Sequence, residues 1–150
     1  MKEIEVFTDG ACRGNPGVGG WGVLFIIDGE ETTLYGGEEN TTNNRMELKA
    51  AIKALEHFDD KVSVSITTDS NYVKDGITKW LENWKTKNWV TASKKPVKNK
   101  DLWEQLDNLN SFHNVSWKWV KAHAGHRENE IADMLANTVS YTHLTLPTSV

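Results

Sequence analysis

Polar and apolar positions alternate at the start of the chain, where Ile4-Glu5-Val6-Phe7-Thr8-Asp9 has the two-residue period of a strand. Asp9-Gly10 closes that strand, and Asn15-Pro16-Gly17 is a turn signal. A second strand is expected over about 21–27, and Asp28-Gly29 marks a tight hairpin into a third at about 31–37. From Asn44 the period lengthens. Met46, Ala50, Ala51, Ala54, Leu55 and Phe58 fall on one helical stripe, which predicts a helix over 45–58. Val62, Val64 and Ile66 alternate with polar residues in a fourth strand ending at Thr68-Asp69-Ser70. Helical patterns follow at about 71–88 and 101–111, then a fifth strand over Val115–Val120 and a last helix from near Glu128. These elements add up to an α/β domain with a mixed sheet.

The glycine run Gly17-Val18-Gly19-Gly20-Trp21-Gly22 has the G-x-G-x-x-G spacing of a dinucleotide site. That fingerprint needs a helix after the third glycine, whereas Val23-Leu24-Phe25-Ile26-Ile27 is strand. The expectation is a glycine-rich turn between strands. At 150 residues the chain fits one domain, and no apolar stretch approaches the roughly 20 residues of a membrane span. No secretory signal pattern stands at the N-terminus, and Cys12 is the single cysteine, so the expected compartment is the reducing cytoplasm.

Charge changes the picture of partners. The formal net charge is −4, yet residues 74–100 hold eight lysines against Asp75 and Glu82, a local +6. An acidic body thus carries one basic segment suited to a polyanion.

Four acids stand out by place. If strands one to three form an antiparallel meander, the helix over 45–58 carries the chain to a fourth strand lying parallel beside the first. Asp9 and Asp69 then meet at the carboxyl edge of neighbouring strands, where open α/β sheets bind ligands. Glu47 lies in the first turn of the crossover helix and Asp133 in the last helix, both able to project to that edge. Each also has an ordinary reading: Asp9 in a turn with Gly10, Glu47 in a capping box with Asn44, Asp69 as a helix cap, Asp133 as a solvated helix residue. Together, clustered oxygen ligands without thiolates suit Mg²⁺ or Mn²⁺. His123 and His126 lack the partners for zinc. Beside metal-bound carboxylates, His123 suits a proton shuttle.

The motifs Phe7-Thr8-Asp9-Gly10-Ala11-Cys12, Gly14-Asn15-Pro16-Gly17, Thr42-Asn43-Asn44-Arg45-Met46-Glu47-Leu48, Thr68-Asp69-Ser70, Trp80 with Trp84, Lys95-Pro96-Val97-Lys98-Asn99 and Val120 through Asp133 resemble those of the bacterial type 1 ribonuclease H family, in order from residue 1 to about 137. The resemblance implies a ribonuclease H-like fold: a five-stranded mixed sheet in the order 3-2-1-4-5 with helices on both faces. It implies hydrolysis of the RNA strand of RNA–DNA hybrids, leaving 5′-phosphate and 3′-hydroxyl ends. Asp9, Glu47, Asp69 and Asp133 would hold two Mg²⁺ ions, or Mn²⁺, with His123 assisting proton transfer or product release. Asn15, Asn43, Asn44, Asn71 and the backbone around Cys12 would read the RNA 2′-hydroxyls, and Thr42 with Asn15 a DNA phosphate. Residues 74–100 match the family's protruding basic handle. There Lys85, Lys87, Lys95 and Lys98 would meet phosphates, while Trp80 and Trp84 share hybrid contact with packing. The implied partner is the hybrid duplex, with no membrane and no obligate protein partner, the chain acting as a monomer. The rival readings are a non-catalytic hybrid-binding module and a DNA-directed nuclease of the same fold.

The last stretch, 138–150, is rich in threonine and serine and has no charged residue. It resembles the conceptual translation of a sequencing adapter, so the expectation is a ribonuclease H domain over 1–137 cut short in its last helix, followed by a non-native or poorly ordered tail.

Overall fold

The computed structural model describes residues 3–121 and 126–145, with side chains to 139. Strands β1 (Ile4–Gly14), β2 (Gly17–Ile27) and β3 (Glu30–Thr41) form the antiparallel meander. Helix α1 (Asn43–Glu56) leads to β4 (Ser63–Thr68), which pairs parallel with β1. Next come α2 (Asn71–Asp75), a π-helical turn (Gly76–Trp80), α3 (Leu81–Thr86) and α4 (Lys100–Phe112). Strand β5 (Asn114–Trp119) adds parallel to β4, and α5 (Arg127–Thr145) closes the fold. The sheet order is β3-β2-β1-β4-β5, as expected.

Pairing register shows where the helices lie. Directly opposed residues of an antiparallel pair share a face, so Gly10 faces with Trp21 and Asp9 faces with Gly22. A Cβ on Gly10 would strike Met46 and Glu47 of α1, and one on Gly22 would strike Ala132, Leu135 and Ala136 of α5. The two helices therefore cover opposite faces. Covered on both sides, β2 is buried across its centre, which is why Val23 to Ile27 reads as a continuous apolar run. The β3 edge, mostly exposed, is polar. The core fills with Val6, Val23, Phe25, Met46, Leu48, Ile52, Leu55 and Ile66, all at most 1% exposed.

Three expectations need correction. β1 runs on to Gly14, so Asp9 sits within a strand and holds no turn. The run Gly17–Gly22 belongs to β2, with the turn confined to Asn15-Pro16. Glycine is a poor strand former alone, but pairing with β1 and β3 holds this run extended, and at Gly22 the close approach of α5 requires glycine. Lastly, the helical stretch expected over 71–88 runs only to Thr86, and its middle, Gly76–Trp80, is a π-helical turn between α2 and α3. Along it Trp80, Trp84 and Trp89 pack in series at 5.7 and 6.2 Å between ring centroids, joined by Tyr72 and Trp103. These tryptophans fasten the basic segment to α4. At the far end, α5 passes through position 137 and continues to Thr145.

Gly22→Ala should push α5 off the sheet. The expected cost is about 1–3 kcal/mol, a drop of ~2–4 °C in Tm per kcal/mol, read by thermal denaturation.

Candidate active site

The β1–β4 ladder ends at the pair Phe7–Thr67. Asp9 and Asp69 each lie two residues beyond that pair, which brings them side by side where the strands part. Asp9 projects onto the α5 face, within hydrogen-bonding reach of Asp133. Glu47 arrives from α1 on the other face and meets the backbone of Gly10. The Gly10 amide donates to Asp9 Oδ1 at 2.9 Å and also to Glu47 Oε1. Because Gly10 has no Cβ, α1 can lie close enough for that second bond.

The structure also removes the ordinary readings of two acids. α1 is capped by Thr42, whose Oγ1 accepts from the Arg45 amide at 3.2 Å, so Glu47 has no capping duty. α2 is capped by Ser70, whose Oγ accepts from the Val73 amide at 3.1 Å, so Asp69 has none either. Oxygen atoms of Asp9, Glu47 and Asp69 lie within 4.8 Å of one another. All four acids line one cavity of about 670 Å³.

Electrostatics make this cluster unusual. Asp9 is 6% and Glu47 7% exposed. Burial, then the neighbouring Glu47 charge and hydrogen bonds to Asp133 and Glu47, drive Asp9 far above the carboxylate range. Burial and the Asp69 charge push Glu47 up to about 7, against hydrogen bonds from Asp9, the Gly10 amide and Ser70. Such a set of hard oxygen donors with uncompensated charge fits divalent cations.

The cavity gathers Cys12, Asn43, Asn44 and Asn71 beside the acids. Asn15 is exposed in the β1–β2 turn and Thr42 half-buried at the α1 cap, neither on the cavity wall. The Cys12 thiol donates to the Thr41 carbonyl at 3.3 Å. In the basic segment, Lys85 is paired with Glu82 and Asp107 at 3.7 and 3.4 Å. Lys87, Lys95 and Lys98 are exposed and have no ion pair among the described residues. Trp80 and Trp84 are half-buried in the aromatic cluster. His123 lies outside the described residues.

Three wall residues escaped the sequence reading. Ser70 stands in the Thr68-Asp69-Ser70 motif, and Asn137 is one turn from Asp133, donating to its Oδ1 at 3.1 Å. Spacing on the helix was the signal for Asn137. Tyr72 had none, since its position depends on hydrogen bonds from Asn99 and Trp103 at 3.1 and 3.0 Å.

The sequence matches the RNase H family over residues 1–141. It is 63% identical over 134 residues to the ribonuclease H of Halorhodospira halophila, covering 89% of this chain and 90% of that protein. With the ribonuclease H of Hydrogenovibrio crunogenus it shares 60% over 137 residues, 91% of this chain and 94% of that one. The crystal structure of LC9-RNase H1, a type 1 RNase H with the type 2 active-site motif, superposes with a TM-score of 0.81 at 35% identity, covering 92% of this chain and 72% of that one. LC11-RNase H1, solved in complex with RNA/DNA hybrid, shares the fold with a TM-score of 0.71 at 22% identity, covering 95% of this chain and 100% of that one.

The raised carboxyls tie stability to pH. A folded acid with a raised pKa holds its proton where the unfolded chain has lost it, so the folded state binds more protons. Its stability is full below the unfolded pKa near 4 and declines as pH rises toward 7, the value of Glu47. In chelator, Tm should fall between pH 5 and about 7, and Asp9→Asn should flatten that slope and raise Tm at neutral pH. Thermal melts over that range test it; a slope that Asp9→Asn leaves unchanged rejects the repulsion.

Proposed function

The chain belongs to the ribonuclease H family, and on that premise we propose how it works: it hydrolyses the RNA strand of RNA–DNA hybrids with divalent cations, leaving 5′-phosphate and 3′-hydroxyl ends. The observation that carries this reading is the meeting of Asp9, Glu47 and Asp69 within 4.8 Å at the sheet edge. Two Mg²⁺ or Mn²⁺ ions, bound by these residues and Asp133, would supply the Lewis acidity that activates water and stabilises the leaving oxygen.

The chain's own residues do the rest. Gly10 holds Asp9 and Glu47 together through one amide, presetting the donor set before any ligand arrives. His123 moves a proton between solvent and the reacting oxygens. Telling RNA from DNA requires neutral donors and acceptors for a 2′-hydroxyl, and Asn43, Asn44 and Asn71 stand on the cavity wall beside the carboxylates. The Cys12 backbone and Asn15 extend that set along the minor groove. As a cap the Thr42 hydroxyl accepts a bond, which leaves its proton for a DNA phosphate. Lys87, Lys95 and Lys98, with Lys85 partly neutralised by its acidic neighbours, grip backbone phosphates without regard to sequence. Trp80 and Trp84 hold that grip in place. The lone free cysteine fits a reducing, cytoplasmic setting, where we take the chain to act as a monomer; no described helix is long and apolar enough to cross a membrane.

With Mg²⁺ and matched duplexes, the RNA–DNA hybrid should be cut while RNA–RNA and DNA–DNA are spared. Asp9→Asn or Asp69→Asn should each lower kcat by at least about 10²–10³-fold; survival of hybrid cleavage rejects the mechanism. Lys95→Gln with Lys98→Gln should weaken hybrid binding and reduce its salt slope by about one per lost phosphate contact. An unchanged slope, measured by titration at several salt concentrations, removes the basic segment from the interface.

A further inference from the structure

A second cavity, about 440 Å³, adjoins the acidic one and shares Asp69, Ser70 and Asn71 with it. It opens where the parallel β4–β5 ladder ends. Thr68 pairs with Trp119 in the last rung, and the Val120 amide donates to the Thr68 carbonyl at 3.1 Å. Trp119, stacked on Trp117 at 5.6 Å and 8°, forms a rigid wall. Two cations flank this space: Lys74, on α2 three residues after Asn71, and Lys121, two residues beyond Trp119. Both are exposed, and neither has an ion pair among the described residues.

We infer that this second cavity is a phosphate subsite, in which Lys74 and Lys121 hold an RNA phosphodiester next to the one placed at the carboxylates. The inference rests on the hydrolase reading above. Two exposed ammonium groups beside an indole wall outnumber the one acid there, Asp69, and suit an anion, whereas the neighbouring cavity with its four acids repels one until cations bind. Because the two cavities share Asp69, Ser70 and Asn71, a strand whose reacting phosphate lies at the carboxylates continues over Asn71 into this space. The lysines thus set which phosphodiester of the RNA comes to rest at the acids. They act as positioning residues, remote from the reacting atoms.

The test uses Lys74→Gln with Lys121→Gln in the full chain, and Lys61→Gln as control. Lys61 carries the same charge before β4, at the opposite end of the strand. The probe is an RNA–DNA hybrid with a short ribonucleotide tract, in which each phosphodiester flanking the cleaved one is replaced in turn by a neutral methylphosphonate. For the unaltered protein, one flanking replacement should raise KM roughly 5–10-fold with little change in kcat. The double variant should show that rise with the natural hybrid and no further rise at that position, and its cleavage products should spread to neighbouring phosphodiesters. Thermal melts of the variant should match the parent, since both lysines are exposed. Equal losses at every position for parent and variant, or the same loss in Lys61→Gln, overturn the subsite. Failure of the parent to cut any hybrid overturns the hydrolase reading instead, and the subsite with it.

Discussion

The site depends on an arrangement that is unfavourable by itself: carboxylates of Asp9, Glu47 and Asp69 packed within 4.8 Å, two of them buried. Two like charges about 4 Å apart repel by roughly 4 kcal/mol at an effective dielectric near 20. The fold holds them because each is delivered by an element that packs for other reasons. Asp9 and Asp69 follow from the β1–β4 register, Glu47 from the buried face of α1, and Asp133 from α5, seated on Gly22. The apolar cores on the two sheet faces supply the stability, and the carboxylates ride on it. That a fold concentrates its local conflict at one edge is the mark of a site kept for chemistry.

Placement of the basic segment follows from a second set of contacts. Arg45, in the first turn of α1, forms a two-pronged bond to Asp101 at 3.0 and 2.8 Å and reaches Asn99 at 3.2 Å. Asn99 in turn donates to the Tyr72 hydroxyl, as does the Trp103 indole. A single exposed ion pair contributes little, but this network joins the α1 wall of the cavity, the Tyr72 wall and the exit of the lysine-rich stretch. The lysine-rich stretch is thereby tied to the wall of the carboxylate cavity, as its proposed contact with the same duplex would require.

Much of this was legible from residue order because short-range rules govern it. Period-two alternation located β1 and β4, an apolar run located the centre of β2, and the parallel crossover placed Asp9 and Asp69 at one edge. Glu47 and Asp133 were legible as acids of the right helices. What escaped was decided by tertiary contact. Nothing local says that Gly17–Gly22 extends a strand; its pairing with the long β1 and with β3 does. Asn44 looked like the cap of α1, whereas Thr42 takes that position and shifts the helix register by two residues. The π-helical turn after Asp75 begins at Gly76, where a Cβ would strike Trp103, a tertiary contact that no period reveals. The cavity beside Trp119 depends on where β5 ends against β4, a matter of register between strands some fifty residues apart.

The net charge of −4 is then a sum over surfaces with opposed duties. An acidic cavity repels a phosphodiester, while the exposed lysines, in the role proposed for them, would draw a polyanion in. These two tendencies are linked through the cations. A divalent ion at the carboxylates removes the repulsion of the phosphate, and the phosphate oxygens complete the ion's coordination. By linkage, each must therefore raise the affinity of the other by the same factor. The raised protonation of Asp9 and Glu47 belongs to the same balance, because a proton there is a weaker substitute for the missing positive charge. The buried acids are the members of this balance that need a counter-charge, from a proton or from a divalent cation, whereas the exposed lysines are stabilised by water.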